Sequence, residues 1–181
     1  MADFYPILDE TQQQFIARQH MFFVATAPGE GRINLSPKGM DTFRVIDEAT
    51  VCYLDLTGSG NETAAHLLEN GRITIMWCSF DGTARILRVY GEGRAVRPGS
   101  PEFDGLIGRF PPLPGVRQIM LIRVGSVQTS CGYGVPQYEL VRERPTLVKW
   151  AKGKGEEGLR DYRASRNARS IDGLPTGQAD V

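Results

Sequence analysis

Tyr53-Leu54-Asp55-Leu56-Thr57-Gly58-Ser59-Gly60-Asn61-Glu62-Thr63 changes character twice in quick succession. Val51 to Asp55 reads as a strand, Thr57 to Gly60 as a tight turn, and Glu62 to Glu69 as a short helix capped by Asn61 and stopped at Gly71. The first turn of a helix leaves N–H groups without partners, and the helix dipole adds partial positive charge there. An anion such as a phosphate suits that end, and glycines let the backbone come close to it. A capped helix after a tight turn accounts for the same residues without any ligand. Gly58-x-Gly60 ahead of a helix also suggests a dinucleotide fold, but Thr63 stands where the third glycine belongs. The next segments decide the question. Arg72 to Phe80 and Ala84 to Val96 are two long strands joined by Asp81-Gly82, a hairpin signal and not a parallel βα unit.

Working outward, Asp9 and Gln12 suggest a capping box for a first helix ending near His20. Met21–Thr26 and Arg32–Ser36 form strands about the turn Pro28–Gly31. Ser100-Pro101 starts another helix, Pro111–Gly115 is a rigid loop, and Arg117–Val127 is the last long strand. Ile73, Ile75 and Trp77 alternate with Thr74, Met76 and Cys78, so both faces of that strand look partly buried, as in a closed sheet. The expected fold is mainly β with short helices: a six-stranded antiparallel barrel. One domain over 1–141 carries it. A basic, apolar-poor extension over 142–181 is expected to lie as helix and loop on the same domain.

The chain has 181 residues, with 21 basic and 21 acidic side chains and no net charge. That balance disfavours a general nucleic-acid binder, which needs a basic excess. No apolar run approaches membrane-spanning length and no signal peptide is evident, so no membrane partner is expected. Cys52, Cys78 and Cys131 are odd in number and lack a C-x-x-C pair, which points to reduced thiols in the cytoplasm. His20 and His66 have no metal-ligand spacing, so no metal site is expected and both are read as surface or packing residues. The nucleophile elbow G-x-S-x-G is absent. Lys38, in Asn34-Leu35-Ser36-Pro37-Lys38-Gly39, offers the formal cation that a dianionic phosphate needs, though a solvated loop lysine is an equal reading. Arg85 and Arg88 lie three apart on a strand and face opposite sides.

Ile33–Gly39 followed by Leu54–Thr63, with antiparallel strands after the short helix, resembles the pyridoxamine 5′-phosphate oxidase-like FMN-binding split-barrel family. The likeness runs from Phe15 to about Val96, and more weakly through Arg117–Val127 and Gln128–Pro136. It implies a split barrel that forms a homodimer, with FMN at the subunit interface. It places Asn34, Leu35, Ser36 and Lys38 along the flavin, with Lys38, Asn61 and Thr63 on the phosphate and the strands of Trp77 and Arg85 approaching the ring. Two departures matter. Glu62 and Thr63 stand where the oxidases proper carry basic residues. No histidine follows His66, so the C-terminal Arg-x-His substrate motif is missing, and Arg166-Asn167-Ala168-Arg169 does not replace it. The implied function is therefore an FMN-dependent oxidoreductase for an unidentified small molecule, from a branch other than vitamin B6 oxidation. No catalytic residue is assignable, because flavin chemistry is the cofactor's own. A non-catalytic flavin-binding or stress protein, or a split barrel using F420 or haem, are the alternatives. Trp150 could cover the flavin from the tail or simply pack.

Overall fold

The computed structural model describes residues 2–178; the last three positions of the expected extension lie outside the described residues. Its elements in order are β1 (Asp3–Tyr5), α1 (Glu10–Ala17), β2 (Phe22–Thr26), β3 (Asn34–Lys38), β4 (Phe43–Asp47) and β5 (Thr50–Leu56). Then come α2 (Glu62–Glu69), β6 (Arg72–Cys78), β7 (Arg85–Val96), α3 (Pro101–Ile107), β8 (Val116–Cys131) and α4 (Thr146–Arg166). The strands make one antiparallel sheet in the order β3-β2-β6-β7-β8-β5-β4, with β1 added on β8. The barrel is thus antiparallel and open at one seam, with β3 and β4 as its two ends.

Eight strands replace the six expected. β1 spans three residues and is too short to show a period. β4 escapes notice because the turn before it is built by Met40 and Asp41, both with positive φ, and only Gly39 advertises it. Non-glycine residues seldom take that conformation, so sequence gives little warning. The first helix ends at Ala17, before His20, where the Gln19 side-chain amide reaches back and donates to the Phe15 carbonyl. Its capping box is present, with Asp9 accepting from the Gln12 amide and Gln12 from that of Asp9.

Curvature has a local cause. The β7–β8 register shifts between Tyr90 and Gly91, leaving Gly125 as the extra residue of a bulge. A Cβ on Gly91 would lie 2.3 Å from the Arg123 carbonyl oxygen, so only glycine fits there.

Alternation along β5 serves two cores. Val51 and Tyr53 join the barrel interior with Phe22, Ile75, Trp77 and Met120. Cys52 and Leu54 face the other way, against Phe103 of α3, Phe110 and Ile119. Both faces of this strand are therefore covered, and its apolar run needs no exposed side. Inside the barrel, Trp77 is 1% exposed. Its ring meets Phe43 edge-on at 4.8 Å, and Phe43 in turn meets Phe22 at 5.1 Å. Cys52 and Cys78 are buried, as small core fillers should be, while Cys131 is exposed.

Trp77→Ala should empty the middle of this aromatic cluster. A loss of about 3–5 kcal/mol in unfolding free energy is expected by chemical denaturation. Unchanged stability would remove Trp77 from the core.

Candidate functional site

The seam is closed by charge. Lys38, at the end of β3, places its ammonium 3.2 Å from the carboxylate of Asp55 on β5. β3 ends the sheet order and β5 stands one strand in from its other end, so the pair bridges strands that no backbone ladder joins. Asp55 is 2% exposed. Its other oxygen accepts from the Arg117 guanidinium and from the Gln118 amide, both on β8. Both oxygens of the buried carboxylate thus face donors, which is the condition for keeping such a charge in the interior. Burial by itself would raise the Asp55 pKa. Arg117 and Lys38, with hydrogen bonds from Gln118 and Arg117, outweigh it and hold the carboxyl at about 2.

Above this pair opens a polar cavity of about 330 Å³. One wall is β3, where period two puts Asn34, Ser36 and Lys38 on the cavity side and Leu35, 65% exposed, on the other. The opposite wall is Gly58–Gly60 and the start of α2, with Glu62 and Thr63, and Arg117 lies at the base. Asn34 donates to Thr63 Oγ1 and Ser36 donates to Asn34. The Tyr53 hydroxyl is buried beside Thr63; burial first, then Asp55, pushes the phenol well above its usual range.

Asn61 sits where expected but does something else. Its side chain makes no cap bond to α2. Instead Nδ2 donates to the Asn167 carbonyl and Oδ1 accepts from Gln118. A side chain 2% exposed must satisfy its amide within the interior, and these partners do so. Among the described residues, the amides of the first turn of α2 are consequently left without a side-chain acceptor. The start of that helix lines the cavity that Lys38 also lines.

The extension supplies the rest of the frame. Asn167 is 0% exposed, accepts from Arg117 and donates to the Gly58 carbonyl, while its own carbonyl also accepts from Thr176. Arg163 donates to Thr57 Oγ1 and to the Val116 carbonyl. Residues 57–61 are therefore held from the tail side as firmly as from the barrel. Nothing in the sequence announces Asn167. Arg117 and Gln118 begin an apolar strand, and Asp55 interrupts one; a charge inside a buried strand was the available signal.

Among the expected site residues, Asn34, Ser36, Lys38, Asn61 and Thr63 converge on this cavity. Leu35 points away from it. Trp77 lies in the barrel core, and Arg85 stands 5.9 Å from the Phe15 ring centroid; neither lines the seam. His66 is buried on α2, with Nδ1 3.0 Å from Thr26 Oγ1. A second cleft of about 930 Å³ shares Lys38 and is lined by His20, Tyr138, Leu147 and Trp150.

The sequence profile of the pyridoxamine 5′-phosphate oxidase family matches residues 8–131. A pyridoxamine 5′-phosphate oxidase family protein of Aspergillus flavus, ustO, is 40% identical, the match covering 97% of this chain and 78% of that protein. Among solved structures, a Lactobacillus delbrueckii protein provisionally described as a pyridoxamine 5′-phosphate oxidase superposes with a TM-score of 0.55 at 17% identity. It covers 68% of this chain and 94% of its own. A variant of HupZ from Group A Streptococcus gives 0.54 at 21% identity, over 67% and 98%. At such identities the structural likeness is one of fold.

The Asp55 pair predicts an acid-limb signature. In an unfolded chain this carboxyl titrates near its ordinary value of about 3.9. With a folded value of about 2, the group stabilises the fold above the unfolded value and loses that contribution as pH falls through the folded one. Unfolding free energy should drop by about 2–3 kcal/mol across that window from this group alone. Asp55→Asn should lack that part of the slope, and equal slopes in both proteins would contradict the assignment.

Proposed function

The chain belongs to the pyridoxamine 5′-phosphate oxidase family, and we propose that it is a flavoprotein that holds FMN by its phosphate in the seam cavity. The observation that carries this reading is the uncapped first turn of α2 facing Lys38 across a polar space. Helix amides and dipole suit an anion, and a lysine adds the formal charge that a dianionic phosphomonoester requires. Thr63 and Ser36 add hydroxyl groups to the lining. A Cβ on Gly58 would come no nearer than 4.0 Å to its surroundings, so the loop is open on that side. Asn61 contributes by position, since both ends of its amide are engaged elsewhere.

The cleft beyond Lys38 supports the second half of the reading. Its volume, about 930 Å³, lies in the range of small-molecule sites, and Trp150 and Tyr138 give it aromatic walls. When bound there, an isoalloxazine would supply hydride and electron transfer. This chain's own residues bind the phosphate, orient the ring and limit water. The proposed activity is oxidation or reduction of a small molecule other than a vitamin B6 phosphate. Arg169, the nearest tail counterpart of the missing motif, is engaged with the Gly173 carbonyl.

A homodimer fits the outer face of β3. Leu35 on this end strand is 65% exposed and Ile33, just before it, 77%, where a second copy would cover them. Cys52, Cys78 and Cys131 are free, as suits a reducing cytoplasm. Among the described residues no helix is long and apolar enough to cross a membrane.

Purified protein should be yellow, and denaturation should release a chromophore with the mass of FMN. F420, haem or no chromophore at all would overturn the cofactor assignment. Lys38→Ala should weaken FMN binding by about 1–3 kcal/mol, and an unchanged Kd would remove Lys38 from the phosphate site. Anaerobic reduction by NADH or NADPH followed by reoxidation separates an enzyme from a passive flavin carrier. Light scattering should give twice the chain mass at micromolar concentration; a monomer would count against the β3 interface.

A further inference from the structure

A groove of about 870 Å³ runs between α4 and the barrel, on the far side of Arg117 from the seam. Its lining carries five basic residues, Arg97, Arg117, Lys152, Arg160 and Arg163, against one acidic residue, Glu156. Arg117 is spoken for by Asp55. The others have no carboxylate partner among the described residues. Arg163 bonds only to the neutral oxygens of Thr57 and Val116, and Arg97 only to the Thr176 carbonyl.

Two of them are not free surface charges. Arg97 and Arg163 are partly buried, and burial lowers the pKa of each; for Arg163 the neighbouring charge of Arg117 lowers it further. Among the described residues, Arg97 Nε is buried with no acceptor, and Gln178 Oε1, also on the groove, is buried with no donor. A structure seldom leaves buried polar atoms unmatched, and partly desolvated cations without a counter-charge are costly. Leu113 and Val116 on the barrel side and Ala151 and Leu159 on α4 add apolar surface to the same lining. α4 breaks at Gly155, whose φ of 68° interrupts the helix where it borders the groove.

We propose that this groove binds a small organic anion, a carboxylate or phosphate ester with an apolar body, at a site separate from the seam cavity. The anionic head lies between Arg97 and Arg163, with Arg160 and Lys152 at the mouth, and the body rests on Leu113, Val116 and Leu159. The pattern joins apolar lining to a cluster of cationic donors, as ligand pockets do. Guanidinium forks match carboxylate and phosphate oxygens in pairs.

Isothermal titration calorimetry with phenyl phosphate, benzoate and benzyl alcohol tests it. Both anions should bind at least about tenfold more tightly than the neutral alcohol, because a charge-assisted contact is worth about one decade or more. Arg97→Gln should weaken phenyl phosphate by about tenfold or more, and Arg160→Gln, at an exposed position, by a few-fold. The groove component should survive Lys38→Ala, which separates it from any phosphate binding in the seam. Should Arg97→Gln fail to fold, the Arg160→Gln titration decides alone. Equal affinity for the alcohol, binding abolished by Lys38→Ala, or indifference to both arginine variants would overturn the site.

Discussion

One buried carboxylate organises this molecule. Asp55 takes Lys38 from one end of the sheet and Arg117 and Gln118 from the strand beside it, so the barrel closes at the seam through side chains. A backbone ladder there would have filled the space. Closure by an ion pair leaves a gap between β3 and the start of α2, lined by groups that can bond outward. A buried ion pair adds modestly to stability compared with an apolar alternative, while breaking it strands a charge. Its contribution is geometric: it fixes where Lys38 stands relative to the α2 amides.

The second consequence concerns Asn61. Because Gln118 both donates to Asp55 and meets Asn61, the asparagine side chain is drawn inward and away from its helix. The helix start remains open toward the cavity. Asn167 then locks the same loop from the C-terminal side, bridging Arg117 to the Gly58 carbonyl. Tail and barrel form one framework around residues 57–61. Arg163 belongs to that framework through Thr57 and also borders the basic groove, so the two cavities share a wall.

Much of the fold was legible in the chain. The hairpin of β6 and β7 excluded a doubly wound sheet, the Asp9–Gln12 box marked α1, and alternation in β6 marked both of its faces as partly buried. β1 and β4 were not legible, one for want of length and the other because Met40 and Asp41 turn without a glycine. At the site, the cluster from Asn34 to Lys38 and the loop before Thr63 could be read from motif and chemistry. The cap role given to Asn61 could not, since a residue's propensity for caps says nothing of a stronger buried partner. Arg117, Gln118 and Asn167 reach the site only through long-range packing, which no local pattern encodes.

The central claim is that α2's open first turn and Lys38 together hold a terminal phosphate. A crystal structure of the protein with FMN tests it most directly. Phosphate oxygens should lie within hydrogen-bond distance of the backbone amides at Glu62 to Ala64, with the Lys38 ammonium alongside. A phosphate bound elsewhere, or a seam filled by side chains while FMN occupies another place, would contradict it.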